Sequence, residues 1–80
     1  MTAPDIKLRV THAVAKILGY KPEAINTTQT LDELGADSLD QVEIAMDIET
    51  EFDILIEDSE SSAIVTVQDL IDLVTRKLAA

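Results

Sequence analysis

The sequence predicts an all-α fold: a four-helix bundle with a short third helix and a long loop between helices 1 and 2. Three observations carry that prediction. Apolar residues recur at helical spacing in separate stretches. Cap signals stand at the starts of those stretches. Only two Gly and two Pro interrupt 80 residues. Eighty residues make one domain. Nine Ile, nine Leu and six Val must supply its core, with one Phe and one Tyr. Such a core is marginal, because small domains bury a lower fraction of their surface. There is no Cys, so neither a disulfide nor a thiolate metal site can reinforce it.

The first helix opens at Thr2-Ala3-Pro4-Asp5, with Thr2 as cap, Asp5 at the third position and Pro tolerated in the first turn. Ile6, Val10, Ala13, Val14 and Ile17 follow on one face, which Leu18 can join. Gly19 stops the helix, since only Gly takes the left-handed conformation freely. His12 falls off the apolar stripe and reads as solvent-facing. No second His or Cys exists to complete a metal site with it. From Tyr20 to Ala36 the pattern breaks. Lys21-Pro22-Glu23 marks a turn that starts a short helical segment toward Ile25. Asn26-Thr27-Thr28 is loop-like, because these side chains compete for backbone partners. Thr30 and Glu33 stand at capping-box spacing. A connection this long needs anchors, and Tyr20, Ile25, Leu31 and Leu34 are the candidates.

The second helix begins after Asp37, whose carboxylate can accept from the free N–H groups of the first turn. Asp40 falls at the third position, where a carboxylate also suits the positive helix end. Ser38 is then the first helical residue, with its hydroxyl where unpaired N–H groups favour an anion. At roughly 100° per residue, with Ile44 at zero, Ile48, Phe52 and Ala45 lie within roughly 100° and form one apolar face. Leu39, Val42 and Met46 lie at roughly 160–220°, flanked by Glu43 and Glu49. One face serves the core. The second is left for another molecule, unless both are buried in the bundle.

Leu34-Gly35-Ala36-Asp37-Ser38-Leu39-Asp40 resembles the attachment motif of acyl carrier proteins of the discrete fatty-acid (type II) kind. The match continues through Glu43, Met46 and Glu49-Thr50-Glu51-Phe52, and more weakly over nearly the whole chain. The resemblance implies that residues 1–80 form one acyl carrier domain and that Ser38 carries 4′-phosphopantetheine through a phosphodiester. The arm's thiol would hold an acyl group as a thioester. It further implies a partner-binding face of Asp37, Leu39, Asp40, Val42, Glu43, Met46, Glu49 and Ile56. The expected partners are a phosphopantetheinyl transferase and acyl-transferring and chain-elongating enzymes with basic docking patches. The acyl chain is cargo, sheltered when the bundle core opens. The protein is expected to be a monomer in a bacterial-type cytoplasm, with an organelle stroma or matrix as the other setting.

Beyond Phe52, Asp53-Ile54-Leu55-Ile56-Glu57-Asp58 could be a strand. With no partner strand in sight it reads as an extended linker. Related carriers commonly have Pro where this chain has Glu57, and are more acidic where Ser59-Glu60-Ser61-Ser62-Ala63 stands. The short third helix is expected here, capped by Asp58 or Ser59, and the departure hints at a specialised carrier. Thr66-Val67-Gln68-Asp69 repeats the cap spacing and opens the last helix. Its stripe is Val67, Leu70, Ile71, Val74 and Leu78. Arg76 and Lys77 suit the negative helix end.

The net charge is −10, and between Lys21 and Arg76 there is no Lys or Arg. Twelve acidic residues lie from Asp32 to Glu60. A field of this sign argues against nucleic acid and anionic membrane as partners. It favours basic protein surfaces. No apolar run is long enough to span a bilayer or to read as a signal peptide. Catalysis is not expected, because no nucleophile–base pair can be assembled around Ser38. A phosphate-cradling Gly-rich loop and a calcium loop are absent too. Two other readings stay open. One is a carrier for a specialised pathway: polyketide, amino acid or special lipid. Amino-acid carriers more often place Gly-His or Gly-Gly before the Ser, so Ala36-Asp37 favours the fatty-acyl or polyketide branch. The other is an unmodified acidic adaptor that docks a partner through Leu39, Val42 and Met46.

Overall fold

The computed structural model describes residues 1–79. Among them are four α-helices: α1 (Ala3–Leu18), α2 (Ser38–Phe52), α3 (Asp58–Ser62) and α4 (Val67–Ala79). A 3-10 turn at Pro22–Ala24 interrupts the first loop, as the Lys-Pro-Glu signal predicts. α1 is the helix on which α2 and α4 both pack. Its ends form as expected. The Asp5 N–H donates to the Thr2 hydroxyl at 3.4 Å, and Gly19 closes the helix at φ +80°.

Ile6, Val10, Ala13 and Val14 of α1 meet Ile44, Ile48 and Phe52 of α2, and Val67, Leu70, Leu73 and Val74 of α4, in one core. Two details of α4 depart from the expected stripe. Leu73 is buried, while Leu78 is 39% exposed. Leu73 sits roughly 60° from Leu70, on the side away from Ile71. The buried face is therefore wider than a narrow stripe and fades in the last turn. The start of α3 also differs. Glu57, not Asp58 or Ser59, is the flanking residue. Its extended backbone places its N–H 3.0 Å from the Glu60 carboxylate, which accepts the bond. Asp58 is thereby the first helical residue.

The long first loop is held by more than apolar anchors. Leu31 and Leu34 are buried, and Ile25 packs against the core. Tyr20 is 42% exposed, but its hydroxyl donates to the Leu34 carbonyl at 2.7 Å. The loop backbone also caps the neighbouring helix. The Gln29 and Thr27 carbonyls accept from the N–H groups of Val67 (3.1 Å) and Gln68 (2.9 Å), and the Val65 carbonyl accepts from Leu31 (2.9 Å). First-turn donors of α4, which have no intrahelical acceptor, are satisfied by the loop that leads to Ser38.

Three carboxylates are held below their ordinary pKa. The Thr2 hydroxyl lowers Asp5, the Lys77 ammonium lowers Glu60, and the backbone N–H groups of Thr66 and Val65 lower Asp69. A depressed folded value means stability that is present above the unfolded value, about 3.8 for Asp and 4.5 for Glu. It is lost as pH falls through the lower folded value. Asp69→Asn, which keeps an acceptor but does not titrate there, should therefore make the acid limb of a melting-temperature curve shallower. A limb parallel to that of wild type would show that the α4 cap does not titrate in this window.

Three ion pairs are present among the described residues, Arg9–Glu51, Lys16–Asp47 and Lys77–Glu60, against sixteen acidic side chains. The remaining carboxylates repel one another in the folded state. Moderate salt, or millimolar divalent cation, should raise the melting temperature by screening them. A flat response would mean that the charges lie too far apart to couple.

Candidate functional site

The start of α2 is built by a turn and a reciprocal cap. Gly35 takes φ +88°, a conformation that costs Gly little and other residues much. The Leu31 carbonyl accepts from the Ala36 N–H at 3.0 Å, closing the turn. Leu31, Leu34 and Ala36 point into the core, so the chain leaves the interior at Asp37. There the Asp40 N–H donates to the Asp37 carboxylate at 2.8 Å, and the Asp37 N–H donates back to the Asp40 carboxylate at 3.2 Å. The Gln41 N–H is taken by the Asp37 carbonyl at 3.0 Å. The N–H groups of Ser38 and Leu39 are left without an intrahelical acceptor.

Ser38 itself is exposed at the first helical position. The site is thus a convex helix end and not a cleft. A groove of about 520 Å³ lies elsewhere, along α1 and the 3-10 turn between Arg9, His12, Lys16 and Tyr20. A phosphodiester on the Ser38 oxygen fits this environment. The helix end supplies positive potential and two open N–H groups. The nearby Asp37 and Asp40 carboxylates are each already turned toward a backbone donor.

The outward face of α2 is solvent-exposed. Leu39, Val42 and Met46 are 65%, 53% and 60% exposed, while Ile44 and Ile48 on the other side are 2% and 0%. The alternative, both faces buried, is thereby excluded. Glu43 lies exposed beside the stripe, with Asp40 partly covered at its head. Two expected members of the face behave differently. Ile56 is 8% exposed and belongs to the core. The linker turns Ile54 and Ile56 inward, so the outward side chain is that of Leu55. Glu49 is half-buried, and its carboxylate accepts from the Ile56 N–H at 2.9 Å. It therefore has a structural task besides any contact with a partner.

Comparison with known proteins decides the family. Residues 9–74 match the family described as the phosphopantetheine attachment site. The chain belongs to the phosphopantetheine-attachment family and has the acyl carrier protein fold. The crystal structure of the acyl carrier protein from Thermotoga maritima is 35% identical in sequence, with a TM-score of 0.83. The match covers 99% of this chain and 93% of that one. As a member of the family the protein is a carrier and not an enzyme, and 4′-phosphopantetheine is the prosthetic group its domain attaches. Acyl cargo and the enzymes that modify and use it follow in general terms. No helix among the described residues is long and apolar enough to cross a membrane.

Proposed function

We propose that Ser38 is the attachment residue, and that residues 1–80 act as one carrier domain. It delivers acyl thioesters to enzymes of fatty-acid or related lipid biosynthesis in a bacterial-type cytoplasm. The observation that carries the proposal is the exposed hydroxyl of Ser38 at the start of a fully capped, 15-residue helix. The prosthetic arm, when bound, supplies the thiol that holds the acyl group. The protein's own residues do the rest. Asp37 and Asp40 fix the helix end, and the first-turn N–H groups of Ser38 and Leu39 favour the phosphodiester charge. Leu39, Val42 and Met46 present an apolar strip to the partner, and Glu43 steers a basic enzyme surface toward it.

The interior is closed. A cavity of about 10 Å³ lies between Gln41, Ile44, Ala45, Ser61, Ile64 and Leu70, which is room for about one water. A sheltered acyl chain would have to part these side chains. α3 is the element that yields at least cost, because it buries no residue of its own and is held by the Lys77–Glu60 pair at 2.8 Å. A partly exposed pair of this kind adds little to stability, because solvent screens it.

Glu43→Lys tests the steering. It should spare the fold and slow association with a basic partner enzyme, most strongly at low salt. A rate loss that is the same at high salt would point to a contact and not to steering. The proposal as a whole is tested by purifying the protein from its own source under conditions that preserve thioesters, then measuring intact mass before and after hydroxylamine. Release of a fatty-acyl mass supports the fatty-acid reading. Release of a polyketide, aminoacyl or unusual lipid mass assigns the chain to a specialised pathway, which Glu57 and the serine-rich α3 favour. A chain that never carries a prosthetic group would be the acidic adaptor.

A further inference from the structure

We infer that Leu55 is the distal end of the partner-docking face, and that the Glu49 carboxylate holds it there. The inference rests on the carrier reading above, because the partner is an enzyme that acts at Ser38. The end of α2 carries the observation. Asp53 turns left-handed at φ +53°. The Glu49 carbonyl accepts from the Asp53 N–H and from the Ile54 N–H, the latter at 3.1 Å. The Glu49 side chain then accepts from the Ile56 N–H at 2.9 Å. One residue closes the helix and folds the next three back against it.

That tie sets the direction of the linker side chains. Ile56 enters the core, and Leu55 turns the other way to 67% exposure, the highest of the exposed large apolar side chains. Glu49 stands roughly 60° from Met46 around the helix, so the linker is drawn to the flank of the exposed stripe. Leu55 begins one residue from the hydrogen-bonded N–H, about 3.8 Å between Cα atoms. With Leu39, Val42 and Met46 it extends the apolar surface over the length of α2, about 20–25 Å at 1.5 Å per residue. That span suits a standard interface of about 800 Å² per partner.

Charge selects the occupant. Glu43 and Glu49 flank the stripe on α2, the exposed Glu57 and Asp58 follow Leu55 by two and three residues, and no Lys or Arg lies between Lys21 and Arg76. A second copy would bring the same acidic rim, and nucleic acid or an anionic membrane would bring phosphates. The surface fits an apolar groove rimmed by Lys and Arg on the enzyme that modifies Ser38, with a pocket for Leu55 beyond the end of α2.

The test is modification of the full chain by a phosphopantetheinyl transferase with coenzyme A, comparing wild type, Leu55→Ser, Glu49→Gln, Glu49→Ala and Leu55→Ser/Glu49→Ala. Leu55→Ser should raise KM about 5-fold or more, the loss of a contact worth over about 1 kcal/mol. It should leave kcat within about twofold and melting unchanged, because the side chain is exposed and remote from Ser38. Glutamine keeps an acceptor oxygen and alanine does not. Exchange of the Ile56 amide proton should therefore stay slow in Glu49→Gln and accelerate about 10-fold or more in Glu49→Ala. In the Glu49→Ala background, Leu55→Ser should cost less than about twofold, since Leu55 is no longer held. An unchanged KM for Leu55→Ser, or an equal cost in both backgrounds, overturns the inference while leaving the carrier reading intact. So does a wild-type dimer that Leu55→Ser dissociates without changing KM, which would make a second copy the occupant. A wild-type chain that gains no prosthetic group overturns both.

Discussion

Ile48→Ala and Phe52→Ala should each destabilise the protein by about 2–5 kcal/mol, because each removes a buried side chain and leaves a cavity. Ile48 is fully buried and Phe52 nearly so, in the single core shared by α1, α2 and α4. Total stability of a domain is about 5–15 kcal/mol, and a chain of 80 residues sits at the low end. Either change can therefore unfold it. Phe52 has a second role, since the Arg9 guanidinium stacks 4.8 Å from its ring centroid while donating to Glu51 at 2.7 Å. Its loss also loosens the tie between α1 and the end of α2. Val42→Ala and Met46→Ala should change melting little, because both side chains are more than half exposed. They should instead slow modification of Ser38 or acyl transfer. Thermal melts and transferase kinetics on the same four variants separate the two classes. If Met46→Ala melts as badly as Ile48→Ala, the outward stripe is structural and the docking role fails.

Ser38→Ala should abolish gain of the prosthetic group while melting close to wild type. The loss is complete if, as proposed, the bond is made to the serine oxygen itself. The fold is spared because Asp37, not Ser38, is the cap, and alanine is the best helix former. The competing serines lack the setting. Ser59, Ser61 and Ser62 lie within a five-residue helix, and the Ser62 hydroxyl already donates to the Asp58 carbonyl at 2.9 Å. Persistent modification of a well-folded Ser38→Ala chain would move the site to one of them.

The helices that the sequence made legible are those with a cap signal and a long apolar period. α1 and α2 begin at the residues that their Thr2 and Asp37 caps predict, and Thr66 opens α4. The split of α2 into Ile44/Ile48 and Leu39/Val42/Met46 faces was also readable, because a helix this amphipathic on two sides can bury only one of them here. What stayed hidden was carried by backbone or by register. The loop carbonyls of Thr27 and Gln29 that cap α4 belong to residues with no distinctive pattern, and any residue could supply them. α3 is too short for periodicity to place, and the sequence puts its cap at Asp58 or Ser59, one or two residues after the Glu57 that holds that position. The resemblance puts Ile56 on the outward face, yet in an extended stretch a shift of one residue reverses the face. The signal that could have corrected it was present in Ile54-Leu55-Ile56. If Ile54 and Ile56 pack inward, Leu55 must point out.

The most direct test of the carrier mechanism is the mass of the wild-type chain after incubation with a phosphopantetheinyl transferase and coenzyme A, with fragmentation to locate any gain. The expected result is one phosphopantetheine per chain, found on the fragment that contains Ser38 and on no other. An unmodified chain under conditions that convert a control carrier, or a gain located on Ser59, Ser61 or Ser62, would contradict it.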